Sequence, residues 1–106
     1  MILNIRIEDQ NYPVDVPEHI ISDAEDYFKK LDQDMDKGWQ MSRSWVDHPD
    51  PEQRCQIVAD RILGAFEHEN QKSLILLSAY ILSRLPRVKS VDISTTGEIQ
   101  ETSFEF

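Results

Sequence analysis

Asp32, Asp34 and Asp36, followed by Gly38, form the densest group of side chains in this 106-residue chain with the types and spacing to do chemistry. Alternating carboxylates running into a glycine match the opening of an EF-hand calcium loop, which places oxygens at its first, third and fifth positions. That loop also needs glycine at its sixth position and a bidentate glutamate at its twelfth, where this chain has Lys37 and Arg43. No metal and no cofactor are expected. The same aspartates fall in the last turns of an expected helix, where each carboxylate facing the negative end of the helix dipole costs ~0.3–1 kcal/mol. Asp32 and Asp36, one turn apart, repel each other by a further ~0.2–0.5 kcal/mol. The offset could come from Lys37, Arg43 or Arg54 folding back, from a cation, or from a basic group on a partner. Otherwise the helix ends early and the aspartates simply favour the turn.

The next segment, Trp39 to Trp45, holds both tryptophans of the chain together with Met41 and Arg43. Tryptophan and arginine carry much of the energy at binding hot spots, because each joins a large contact area to a directed polar group. Trp39, Met41, Arg43 and Trp45 are therefore candidate binding residues, with Asp32 and Asp36 beside them. The competing reading is that the two indoles cap the core, and one buried with one exposed lies between the two. His19, His48 and His68 are too far apart in sequence for a short metal-ligand pattern. Cys55, the only cysteine, lies on an apolar helical stripe where a thiol behaves as a small hydrophobe. There is no nucleophile elbow, no phosphate-cradling glycine loop and no dinucleotide fingerprint.

The elements that must position these residues follow from periodicity. Leu3, Ile5 and Ile7 alternate with polar residues, and after a turn at Asp9 to Asn11 so do Tyr12, Val14 and Val16, predicting a β-hairpin over the first sixteen residues. Pro13 has no donor for a ladder, so the second strand is expected to lie at a sheet edge or to begin there. From Pro17 a helical stripe runs through Ile20, Ile21, Ala24, Tyr27, Phe28, Leu31 and Met35 to Gly38, and Trp39 to Pro49 reads as an aperiodic connector. Asp50, Pro51 and Gln53 spell a capping box opening a second helix, with Cys55, Val58, Ala59, Ile62, Leu63 and Phe66 inward. Leu74 to Leu85 is apolar on nearly every side, the mark of a central helix. After Pro86, Val91, Ile93 and Thr95 predict a strand, Thr96-Gly97 a tight turn, and Glu98 to Phe106 a returning strand.

The order ββαααββ, without repeat or linker, predicts one α+β domain over residues 1–106: two terminal hairpins forming a four-stranded, mainly antiparallel sheet with three helices on one face. Leu77, Ile81, Val58, Ile62, Phe28 and Ile5 are the expected core. Acidic residues outnumber basic ones 20 to 11, for a formal charge of −9, which repels nucleic acid and favours a basic protein partner, if it does more than confer solubility. Asn4 and Arg6 interrupt the first apolar run, no stretch is long enough to span a bilayer, and the lone cysteine fits the cytoplasm. The expectation is a small acidic cytoplasmic protein-interaction or regulatory module without catalytic activity. The alternative is a ligand-binding or enzymatic domain using Asp32, Asp36 and Arg43. A homodimer through the C-terminal sheet edge, where Phe104 and Phe106 need cover, is a further expectation.

Overall fold

A computed structural model describes residues 1–106. Strands β1 (Ile2–Ile7) and β2 (Gln10–Asp15) form the N-terminal hairpin, with Glu8 in the left-handed region at the turn (φ 58°). Four helices and a small hairpin follow: α1 (Glu18–Asp23), α2 (Glu25–Asp36), β3 (Trp39–Met41), β4 (Ser44–Val46), α3 (Pro51–Glu67) and α4 (Gln71–Arg84). The chain then returns to the sheet with β5 (Ser90–Ile93) and, after a 3₁₀ turn at Ile99–Glu101, β6 (Ser103–Glu105).

The main sheet has the order β2-β1-β5-β6, so Pro13 does lie in an edge strand. Both hairpin pairings are antiparallel, while β1 and β5 run parallel, Ile5 opposite Val91 and Asn4 opposite Ser90. Strand alternation divides the faces. Leu3, Ile5, Val14, Val91 and Ile93 are buried against the helices, whereas Arg6, Asp92, Ser103 and Glu105 stay in solvent on the other face. All six expected core residues are buried, and Tyr80 and Phe28 meet edge-on at their centre, ring centroids 5.9 Å apart.

Three details depart from the sequence reading. The first helix breaks at Ala24 into α1 and α2, which turns the second piece so that Phe28, Leu31 and Met35 reach the core. The connector contains the hairpin β3–β4, three residues a side and too short to leave a periodic trace. Finally, β5 ends at Ile93, and the return to β6 is a loop, not a tight turn at Thr96-Gly97. That loop is pinned from inside: the buried Gln56 amide donates to the carbonyls of Thr102 (2.9 Å) and Gln100 (3.3 Å). The capping box forms as expected, with Gln53 N donating to Asp50 Oδ1 at 2.8 Å and Asp50 N to Gln53 Oε1 at 2.9 Å. No helix is long and apolar enough to cross a membrane.

Candidate functional site

Helix α2 persists through Asp36, so its carboxylates do face the negative end of the dipole, and two arginines from neighbouring helices meet them. Arg54, on the first turns of α3, places one Nη 3.3 Å from Asp32 Oδ1 and the other 2.7 Å from Asp36 Oδ1, while its Nε donates to the Pro49 carbonyl at 2.7 Å. Arg84, at the end of α4, donates to Asp32 Oδ2 from Nη2 (2.7 Å) and Nε (3.3 Å) and lies 3.5 Å from Glu25. Its guanidinium also sits 5.0 Å and 5.6 Å from the ring centroids of Tyr80 and Phe28. The Tyr80 hydroxyl donates to Asp32 Oδ1 at 2.5 Å. Asp32 thus ties α2 to α3 and α4 at one point.

Burial by itself would raise the Asp32 pKa, but donation from Tyr80, Arg84 and Arg54 outweighs it and holds the carboxyl below its ordinary range. Burial and the hydrogen bond to Asp32 push the Tyr80 phenol up. Beside this network opens a cleft of about 450 Å³, whose lining includes Asp32, His48, Asp50, Arg54, Tyr80 and Arg84. Both arginines facing it, Arg54 and Arg84, are already matched by carboxylates. Asp32, held ionised and fully donated to, is a poor proton acceptor. Cys55 is completely buried, and burial pushes its thiol up to about 12, which leaves it inert as a nucleophile. No three His, Cys, Asp or Glu side chains lie together where they could hold a metal ion.

The remaining candidates fall on the β3–β4 hairpin. Cross-strand register pairs Trp39 with Val46, Gln40 with Trp45 and Met41 with Ser44. Trp39 packs on the core half-buried and Met41 is completely buried, while Trp45 on the opposite face is 58% exposed. Its indole folds across Gly38, where a Cβ would come within 2.5 Å of the ring, and Nε1 donates to Asp47 Oδ1 at 2.6 Å. Arg43 is exposed at the tip. The tip itself is anchored: Ser42, in the left-handed region (φ 61°), accepts from Ile99 N at 2.9 Å and donates to the Gly97 carbonyl at 3.2 Å through its hydroxyl.

The structure therefore brings Asp32 and Asp36 together and leaves Arg43 apart from them; Arg54, one of the counter-ions considered from sequence, takes that place. Tyr80 and Arg84 were missed. Their signal is the spacing of four on one face of α4, which sets the arginine of its last turn beside the tyrosine one turn earlier. Searches against family models, curated proteins and solved structures return no match to this chain.

Proposed function

We propose that the chain is a non-catalytic protein-interaction module that engages a protein partner through the outer face of β3–β4, with Trp45 at the centre and Arg43 at the rim. The observation that carries this reading is the indole of Trp45, 58% exposed on a hairpin whose tip is fastened to the body by Ser42. A large aromatic held rigid in solvent loses little conformational freedom on binding, which is what makes such residues hot spots. The net charge of −9 favours an overall basic partner through long-range steering, and the buried lone cysteine suits work in a reducing cytoplasm. The alternative site built on Asp32, Asp36 and Arg43 is disfavoured, because both carboxylates are engaged by arginines while Arg43 stands on a different element.

The test is affinity purification from the native cell lysate with wild type, Trp45→Ala and Arg43→Ala, read by quantitative mass spectrometry. One protein recovered with wild type is expected to fall by at least about 30-fold with Trp45→Ala, the loss corresponding to ~2 kcal/mol at a hot spot. Circular dichroism melting of the variant should match wild type. A folded Trp45→Ala variant that retains every partner refutes the reading.

A further inference from the structure

We infer that the groove between α1 and α4 is a self-association face, covered in solution by the same groove of a second copy of this chain. The groove has a volume of about 390 Å³ and is lined by Ile20, Asp23, Ala24, Lys72, Ile75 and Leu76. Helix α4 is apolar on nearly every side. The body covers Leu74, Leu77, Tyr80, Ile81 and Leu82 of it but leaves Ile75 and Leu76 half-buried, facing the groove with Ile20 and Ala24. An apolar stripe without cover is the usual mark of a contact surface.

The charges on the walls specify the occupant. Asp23 stands on the α1 side and Lys72 on the α4 side, both are exposed, and neither has an ion pair within the chain. A two-fold axis running along the groove sets α1 of one copy over α4 of the other. Asp23 of each copy then faces Lys72 of its partner, and both ion pairs close at once, the self-complementarity that an isologous interface requires. The four helix segments pack as a short bundle whose centre is filled by Ile20, Ile75 and Leu76 from both sides. In a chain of net charge −9, the two charged residues lining the groove cancel, which adds no repulsion of their own between copies. The hairpin reading above involves another surface, and failure here leaves it untouched.

The experiment is sedimentation equilibrium of the full chain between about 1 μM and 1 mM, the range in which weak dimers populate. Wild type is compared with Asp23→Lys, Lys72→Asp and the double exchange Asp23→Lys/Lys72→Asp, all confirmed folded by circular dichroism. Asp23→Lys is the discriminating variant. It makes the chain less acidic, so association governed by overall charge would strengthen, whereas lysine facing lysine across the axis is expected to raise the dimer dissociation constant by about tenfold. Lys72→Asp is expected to weaken the dimer likewise, and the double exchange, which keeps the net charge, restores it. A wild type that stays monomeric throughout overturns the inference. So does a dimer indifferent to Asp23→Lys, which would lie on another face such as the sheet edge, or a double exchange that fails to recover.

Discussion

Replacing Asp32 with alanine removes the one acceptor shared by Tyr80, Arg54 and Arg84. The affected side chains are largely withdrawn from water, with 24% of the Asp32 side chain, 11% of Arg54 and 21% of Arg84 exposed. Breaking a fully buried pair from one side costs about 3–5 kcal/mol, because the surviving charge is stranded. Here the stranding is partial, since Arg54 keeps Asp36 at 2.7 Å and Arg84 keeps Glu25 at 3.5 Å. What remains is mainly the Tyr80 hydroxyl without its acceptor, about 1–3 kcal/mol, plus weakened fixation of Arg84. The expected loss is about 2–4 kcal/mol, a fall in Tm of very roughly 10–20 °C for a domain of this size. Urea unfolding at pH 7 measures it, and a loss below about 0.5 kcal/mol would refute the claim that Asp32 joins the helices. The sign with pH follows from the lowered pKa in the fold: the carboxylate stabilises above its unfolded pKa of about 3.9 and that contribution is lost as pH falls through the lower folded value. The gap between wild type and Asp32→Ala should therefore narrow from about pH 4 downward.

Four further outcomes are expected. Gly38→Ala forces a side chain into a backbone with φ 103° and against the Trp45 ring, so it should cost about 1–3 kcal/mol and shift tryptophan emission as the indole is displaced. Cys55, buried with its thiol raised to about 12, should react with iodoacetamide at pH 8 only on the timescale of unfolding, and prompt labelling would contradict its packing. Asp60 has its pKa raised by burial, so its folded state is favoured when protonated; Asp60→Asn should stabilise at pH 7 by under about 1 kcal/mol, an advantage that fades as pH falls through the raised value in a urea series. Ser78→Ala should be neutral or stabilising by thermal melting, because the Ser78 hydroxyl is buried without a partner.

The layers of this molecule could be read from the chain because period and punctuation agreed. Ile5 and Val91 alternate inward, Asp50-Pro51 opens α3, and Gly38 closes α2 with φ 103°. Residues 39–46 could not be read as a hairpin, since three residues a side carry less than two periods of alternation. The parallel pairing of β1 with β5 was equally hidden, because both strands show only an inward stripe, which names no neighbour. At the candidate site the sequence exposed an electrostatic conflict at Asp32 and Asp36 and supplied Arg54 among its solutions. It could not choose among Lys37, Arg43 and Arg54, which differ only in where the tertiary fold carries them; it gave Tyr80 as a member of an apolar helix without showing what it faces, and it gave no role to Arg84. Trp45 and Trp39 were indistinguishable until the register of β3–β4 assigned them to opposite sides.

The parallel pairing of β1 with β5 also makes the sheet depend on both ends of the chain. Asn4 donates to the Lys89 carbonyl, 85 residues away, and β6 attaches only to the outer side of β5. Without residues 90–93, β1 has only β2 as a sheet partner, and a two-stranded ribbon by itself is marginal in water. The loop closed when the two middle strands meet spans most of the chain, and closing it costs entropy that only the native pairing repays. Pairings of such long sequence separation slow folding relative to a purely helical chain of the same size.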